Sequence, residues 1–163
     1  MTVFISYRHT DRPQAMTIDA RLKLANINTY LDVLDSESLT TDDITGVITR
    51  NITECTHLIA VVSQQTALSW WVPFEIGEAT ISDRRICTFK TGDSELPLYL
   101  DKWPTMTRNA DIELFIEAYK LEMTSQRGIS LESMAGNESM RSTNRKNAEH
   151  FHAELKNKIR RSV

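Results

Sequence analysis

Short apolar runs alternate with segments of helical periodicity along most of the chain. Apolar and β-branched runs predict strands at residues 2–6, 27–31, 57–62 and 86–89, with a short fifth strand at 98–100. The run at 57–62 (HLIAVV) is unbroken, which is typical of a central parallel strand covered on both faces. Between these runs, apolar residues recur at steps of three and four, which predicts amphipathic helices.

Several residues mark where these helices begin. Asp11 is a candidate N-cap for the first helix, and Thr40 with Asp43 resembles a capping box for the second. Pro73 lies near the start of another helix, and a last domain helix is predicted at 111–122. Alternating strands and helices predict an α/β protein with a flavodoxin-like, doubly wound, five-stranded parallel sheet. Such sheets bind ligands beyond the carboxyl ends of their strands.

The last forty residues differ from the rest in composition. We predict a domain over 1–124, a linker or mobile arm over 125–146, and an extra, basic C-terminal helix over 147–163. Residues 1–140 contain 12 Lys and Arg against 20 Asp and Glu, whereas residues 141–163 contain 7 against 2. We interpret the basic tail as a solvated helix face, with contact to an acidic partner as the alternative.

Composition excludes several classes of protein. The 163 residues are 40% hydrophobic and 25% charged, which is the balance of a soluble globular domain. No apolar run approaches the roughly 20 residues that span a bilayer, so we expect no membrane segment. The acidic body argues against nucleic-acid binding. The chain has only two cysteines, Cys55 and Cys87, which argues against a disulfide framework and favours a cytoplasmic location.

The common cofactor and metal motifs are absent from the sequence. No two of the five glycines are close enough for a G-x-G turn, which excludes the dinucleotide fingerprint and the phosphate loop. The pair His150 and His152 would point to different faces of a helix, which makes a poor metal site. We therefore predict no metal and no bound cofactor.

Polar and aromatic residues instead collect where the predicted strands end. The candidates after strands one, two and three are Tyr7, Arg8, Asp32, Trp70, Trp71 and Glu75. Glu75 is predicted in the first turn of its helix, where the helix dipole favours a carboxylate. Each residue also has an ordinary structural interpretation: a helix-start glutamate, packed tryptophans, or an ion pair of Arg8 with Asp32 or Glu37. Glu78, one turn further on, is an alternative to Glu75.

These segments resemble the motifs of Toll/interleukin-1 receptor (TIR) domains. The sequence VFISYR at 3–8 looks like the family's opening motif, and NINTYLD at 26–32 looks like its second strand leading into the BB loop. The sequence WVPFE at 71–75 is similar to the family's Trp-x-x-x-Glu segment, and DKWP at 101–104 falls where a late tryptophan motif is expected. The resemblance covers about residues 1–124 and leaves the tail unaccounted for.

The resemblance implies an activity. Many bacterial and plant TIR domains cleave NAD⁺ to nicotinamide and ADP-ribose or a cyclised isomer, and they require the glutamate that matches Glu75. By the same resemblance Tyr7, Arg8 and Asp32 border the pocket. On chemical grounds we expect Trp70, Trp71 or Tyr7 to stack on nicotinamide or adenine and Arg8 to meet the diphosphate. NAD⁺ would then be the substrate, with no further cofactor. The resemblance also implies TIR–TIR self-association and a Thoeris-like role in anti-phage defence, with a separate sensor of the nucleotide product.

Two other functions remain open at this point. The chain would be a non-catalytic interaction module if its BB loop and helices served only to build TIR–TIR assemblies, although such a module has no need of a glutamate at position 75. It would be a nucleoside deoxyribosyltransferase-like enzyme on a related fold if its carboxylate acted on deoxynucleosides instead of NAD⁺.

Overall fold

A five-stranded parallel sheet lies between two layers of helices. This computed structural model describes residues 1–33, 44–67, 71–93, 95–129 and 137–162. The strands are β1 (Thr2–Tyr7), β2 (Asn28–Val33), β3 (His57–Val62), β4 (Arg85–Lys90) and β5 (Thr105–Met106). They are ordered β2-β1-β3-β4-β5, and every pairing is parallel. The predicted flavodoxin-like, doubly wound α/β fold is thereby confirmed.

The helices divide between the two faces of the sheet. They are α1 (Arg12–Leu24), α2 (Ile44–Glu54), α3 (Gln64–Ala67), α4 (Trp71–Ile81), α5 (Asn109–Ile129) and α6 (Asn137–Arg161). Helices α1, α5 and α6 bury their apolar residues on one face, and α2 and α4 bury theirs on the other. Strand β3 is buried along its whole length, which explains its unbroken apolar sequence. None of the described helices combines the length and the apolar character that crossing a bilayer requires.

The fifth strand is not where the sequence predicted it. Residues 98–100 belong to a 3₁₀ helix, Leu98–Lys102, and β5 follows at Thr105–Met106. Only Leu100 of the three predicted residues is buried, whereas Leu98 is 86% exposed. Pairing with β4 begins just before β5, where the backbone N–H of Thr88 donates to the Pro104 carbonyl at 2.9 Å. Residues 98–100 therefore form a helical turn, and Leu100 is the one of the three that packs into the core.

Helices α1 and α4 end in the same backbone motif and lead directly into strands. Asn26 (φ 60°) and Asp83 (φ 51°) adopt the left-handed conformation that closes a helix. After Asn26, the N–H of Ile27 donates to the Leu22 carbonyl at 3.0 Å, as a Schellman motif requires. Asparagine and aspartate tolerate positive φ better than other non-glycine residues, so neither turn needs a glycine.

Helix α6 is an integral part of the hydrophobic core. The sequence predicted a linker at 125–146. Instead, α5 continues to Ile129 and α6 already begins at Asn137. The polar residues at these two helix ends extend helices whose apolar contacts are made elsewhere along their length. Phe151 and Leu155 are 2% and 0% exposed and pack with α5 and the sheet. Part of the basic tail is bound, since Lys156 Nζ donates to the Asp101 and Lys102 carbonyls at 2.8 and 2.7 Å.

Helix α6 also covers the outer edge of β4. Strand β5 pairs with only two residues of β4, so the N–H of Ile86 faces α6 and donates to His152 Nε2 at 2.8 Å. An edge N–H that is buried without a partner is costly, and His152 supplies the missing acceptor. Burial, followed by the nearby charge of Arg85, lowers the pKa of His152 to about 4. His152 is therefore neutral at pH 7, as an acceptor nitrogen must be.

A buried polar cluster joins the amino ends of β3 and β4 to helices α5 and α6. Arg85, 2% exposed, donates through Nε to Glu122 Oε1 at 2.6 Å and through Nη1 to Asn144 Oδ1. His57 Nε2 lies 3.2 Å from the other Glu122 oxygen, and its ring packs edge-on against Phe151 at a centroid distance of 4.9 Å. Burial raises the pKa of Glu122, but the His57 hydrogen bond and the Arg85 charge outweigh it and lower the pKa overall.

The two ends of the described chain lie at opposite ends of the parallel strands, the first at their amino ends and the last at their carboxyl ends. The Tyr119 hydroxyl donates to the Met1 carbonyl at 2.8 Å, at the amino end of β1. Helix α6 passes Arg85 at the amino end of β4 and finishes beside Arg108, two residues after β5. There, Arg108 Nη1 donates to the Ser162 carbonyl at 3.1 Å. Helix α6 therefore runs beside the sheet from the amino ends of the strands to their carboxyl ends.

We predict that Phe151→Ala will destabilise the whole domain. The ring is fully packed between α5, His57 and the sheet, and emptying such a site costs about 3–5 kcal/mol of unfolding free energy. The measurement is urea unfolding followed by circular dichroism. His150→Ala, at an exposed position on the same helix, is the matched control and should change stability by less than about 0.5 kcal/mol. Equal effects of the two substitutions would contradict the packing described for α6.

We further predict that His152 makes folding sensitive to acid. The folded protein holds His152 neutral down to about pH 4, whereas the unfolded chain protonates it near 6.5, so the unfolded state binds more protons between these values. The free energy of unfolding should therefore fall as the pH is lowered from 6.5 to 4, by up to about 3 kcal/mol from this residue.

The His152→Gln variant isolates this contribution. Glutamine keeps an acceptor for the Ile86 N–H but does not titrate, so the variant should lose less stability than the wild type between pH 6.5 and 4. Urea unfolding at both pH values makes the comparison, with His150→Gln, at an exposed position on the same helix, as the control. Identical losses in wild type and His152→Gln would rule out His152 as a source of the acid sensitivity.

Candidate functional site

The carboxyl end of β1 brings a serine and a glutamate together inside the protein. Ser6 lies level with Asp32 in β2 and with Ala60 in β3. Its Oγ–H donates a hydrogen bond to Glu75 Oε2 across the interface between β1 and α4. Both residues are only 1% exposed. The site therefore has a carboxylate whose orientation is fixed by a buried hydroxyl donor at the edge where parallel sheets bind ligands.

The sequence of α4 explains why Glu75 points at the sheet. Val72, Ile76 and Ala79 are buried against β3 and β4, and Glu75 lies on the same side of the helix as these residues. Glu75 therefore faces the sheet among apolar neighbours. The polar residue of β1 that is buried on this face is Ser6, and it lies opposite Glu75. Glu78, the alternative, is only half-buried.

One expectation about Glu75 is wrong. Because α4 begins at Trp71, Glu75 is its fifth residue and lies at the start of the second turn rather than in the first. The helix dipole acts mainly on charges within the first turn, so it contributes less here than the sequence indicated. The hydrogen bond from Ser6 takes its place as the interaction that orients the carboxylate.

The structure separates Tyr7 from Glu75 by the thickness of the sheet. Side chains alternate along a strand, so Tyr7 points to the face opposite Ser6 and packs, 3% exposed, with α1 and α5. Arg8 follows at the end of the strand, and its Nη1 donates to the Gln65 carbonyl of α3 at 3.3 Å. Arg8 is thus held at the carboxyl edge, between the loops after β1 and β3.

The other candidates are only partly described. Asp32 lies directly beside Ser6 in the register of β2, and Trp71 is the first residue of α4, but their side chains are not described. Trp70 and the segment 34–43, which holds the predicted capping box at Thr40, lie outside the described residues. The backbone therefore brings Asp32 and Trp71 to the same edge as Glu75.

Asp11 has a role that the sequence did not indicate. It was expected to cap α1, but it makes no capping hydrogen bond to the helix. Its Oδ2 instead accepts hydrogen bonds from Ser63 Oγ at 3.0 Å and from Thr66 Oγ1, and the Ser63 oxygen also accepts the Thr66 N–H. Asp11, 7% exposed, thereby ties the loop after β1 to the turn after β3. The only signal in the sequence was the presence of small hydroxyl residues in that turn.

No group of three metal-binding side chains forms within the described ranges. The nearest sequence candidates, His150 and His152, separate as expected: His152 accepts the Ile86 N–H, and His150 lies beside Glu154 on the exposed side of α6.

Comparison with known families agrees with this geometry. The family model described as TIR domain matches residues 3–118, which includes the strand-end motif, β2 and all of α4. The chain belongs to the TIR family. No curated protein matches it. The family match stops before the end of α5, so α6, although it completes the core of this TIR domain, lies beyond the matched region.

We predict that the Asp11 contacts stabilise the TIR domain. Asp11→Ala would leave the Ser63 and Thr66 hydroxyls without their acceptor and should lower the unfolding free energy by about 1–3 kcal/mol. Asp11→Asn keeps an acceptor oxygen and should recover most of that loss. Chemical denaturation measures both, with the exposed Asp93→Ala as control. If Asp11→Ala were as stable as Asp93→Ala, these hydrogen bonds would not hold the two loops together.

Proposed function

We propose that this TIR domain cleaves the bond between nicotinamide and ribose in NAD⁺, with Glu75 as its catalytic carboxylate. The observation that carries the proposal is the placement of Glu75: buried, oriented by Ser6, and at the ligand-binding edge of the sheet. Membership of a family that includes NAD⁺ hydrolases supports it. The proposal makes the chain a hydrolase or cyclase that uses NAD⁺ as substrate and needs no cofactor.

The chemistry requires only one carboxylate. Most glycosidases need a second acid to protonate a poor leaving group. The nicotinamide nitrogen of NAD⁺ is already cationic, so the C1′–N bond breaks with its electron pair going to nicotinamide, which leaves neutral. The ribose then carries positive charge, which a preorganised carboxylate stabilises in a site that excludes water. Attack by water, with loss of a proton, gives ADP-ribose, and attack by a ring nitrogen of the adenine gives a cyclic isomer.

The neighbouring residues have separate proposed roles. Ser6 fixes the Glu75 carboxylate, so that it need not reorient as charge develops. Arg8, held at the same edge by Gln65, would bind the diphosphate, and Asp32 would contact the ribose. Trp70 and Trp71 would stack on nicotinamide or adenine. Tyr7 packs behind β1, so its role would be to support the strand end rather than to touch the substrate.

The alternative is a TIR interaction module without catalysis. The Ser6–Glu75 hydrogen bond also stabilises the packing of α4 against β1, and a pure scaffold would need it for that alone. TIR domains commonly self-associate, so assembly is expected under either function and does not separate them. Under the catalytic proposal, we place the protein in the cytoplasm, in anti-phage signalling of the Thoeris type, with a separate sensor of its product.

The test is NAD⁺ turnover by concentrated protein, with nicotinamide and nucleotide products measured by chromatography and mass spectrometry. Glu75→Gln keeps an acceptor for Ser6 but removes the charge, and it should lower nicotinamide release by about 100-fold or more while the protein stays folded. Glu78→Gln, one turn away, is the matched control and should retain activity.

Three results would contradict the proposal. Equal turnover by Glu75→Gln and wild type would remove Glu75 from catalysis. Absence of turnover by wild type, even after enforced oligomerisation, would favour the interaction module. Release of a base from deoxynucleosides but not from NAD⁺ would favour the deoxyribosyltransferase-like alternative.

A further inference from the structure

We propose that a cavity between the end of α4 and helix α6 is a second binding site, which takes a small anion carrying a planar ring, such as a nucleoside monophosphate. This proposal does not depend on whether Glu75 cleaves NAD⁺.

The cavity is separate from the Glu75 site. It has a volume of about 630 Å³, within the range of about 300–1,000 Å³ that is typical of small-molecule sites. Its walls include Ile81, the last residue of α4, and Ile86 near the amino end of β4, whereas Glu75, the fifth residue of α4, faces Ser6 near the carboxyl end of β1. None of Ser6, Arg8 and Glu75 lines the cavity.

The floor of the cavity is apolar and aromatic. It is lined by the buried residues Ile86, Trp103 and Ala148, and His152 is held there by its hydrogen bond from the Ile86 N–H. Because this bond uses the His152 Nε2 lone pair and the ring is neutral, His152 adds a flat surface without adding charge. A planar ring would pack mainly against His152, because Ile86, Trp103 and Ala148 leave little surface accessible.

Three cations from three different elements surround this floor. Arg84 comes from the turn before β4, Lys102 from the 3₁₀ helix, and Arg145 from α6. Lys102 Nζ lies over the Trp103 ring, 5.5 Å from its centre, which places a positive charge on one face of the ring. Arg84 Nη2 already donates to the Thr53 carbonyl at 2.6 Å, and burial, together with the adjacent Arg85, lowers the pKa of Arg84, so an anion would add to the partners of that guanidinium.

Two carboxylates also line the cavity and define what it would accept. Arg145 Nε lies 3.3 Å from Glu149 Oε1. Because this ion pair is exposed, an incoming anion could replace Glu149 as the partner of Arg145 at little cost in free energy. Asp83 offers an acceptor for N–H or O–H groups of a ligand. Cations that bind phosphate, acceptors for hydroxyl groups and an apolar floor together favour a nucleotide over a simple inorganic anion.

The positive charge extends to the other side of Trp103. A second cavity, of about 330 Å³, lies between Trp103 and the end of α6 and is lined by Lys156 and Arg160. The cations of α6 therefore flank Trp103 on both sides, in a protein whose first 140 residues carry eight more acidic than basic side chains. Local positive potential on an acidic body concentrates anions at this place.

Helix α6 supplies Ala148, His152 and Arg145 to the cavity, and it lies outside the region that matches the TIR family. The proposed site is thus built partly from a segment beyond that match.

The test is isothermal titration of the full chain with AMP. Adenosine, which lacks the charge, and inorganic phosphate, which lacks the ring, are titrated in parallel. AMP should bind more tightly than either. Lys102→Ala and Arg145→Ala, both at exposed side chains that can change without disturbing the core, should each weaken AMP binding about tenfold, the loss expected for one charge-assisted hydrogen bond.

Two matched variants locate the binding. Lys146→Ala removes an exposed cation that follows Arg145 but does not line the cavity, and it should not change AMP affinity. Arg8→Ala reports any AMP that binds at the Glu75 site instead. Melting curves check that all four variants fold. The proposal is overturned if AMP gives no binding at millimolar concentration, if adenosine or phosphate binds as tightly, or if Arg8→Ala weakens binding while Lys102→Ala and Arg145→Ala do not.

Discussion

The organisation of this protein follows from one constraint, a parallel sheet that must be covered on both faces. Strand β3 is buried along all six residues, so the parallel strands must be connected through helices that together cover both faces. Because all the strands are parallel, their carboxyl ends lie together on one side of the sheet. Ser6 and Ala60 become level with each other through the register of β1 and β3, and α4 then delivers Glu75 to that point. The candidate site is a product of the topology.

Features set by local periodicity were predictable from the sequence, and features set by distant contacts were not. The bounds of β3 and the presence of Glu75 at the carboxyl edge could be predicted, because an unbroken apolar run and the order of elements decide them. Asp11 was expected to cap α1, since nothing nearby reveals that Ser63 and Thr66, more than fifty residues away, compete for its carboxylate. The short β5 was missed because two residues carry no periodicity and their pairing depends on β4.

Helix α6 shows how a segment beyond the TIR match becomes part of the fold. Strand β5 is too short to pair with all of β4, so α6 takes its place at the amino half of that edge through His152. The Arg85–Glu122 pair and Asn144 then tie α6 to the strands and to α5. Buried ion pairs contribute little net stability on their own, but this one is bonded on several sides, so it fixes where α6 sits. Phe151 and Leu155 supply most of the apolar burial.

The opposite placement of the two ends has a practical meaning for anyone who labels the protein. The amino end is held beside Tyr119 at the edge away from Glu75, and the end of α6 is held by Arg108 at the edge that carries Glu75. A fluorescent protein fused before Met1 would stand at the amino ends of the strands, away from Glu75. The same protein fused beyond the end of α6 would start from the carboxyl ends of the strands, beside Arg108.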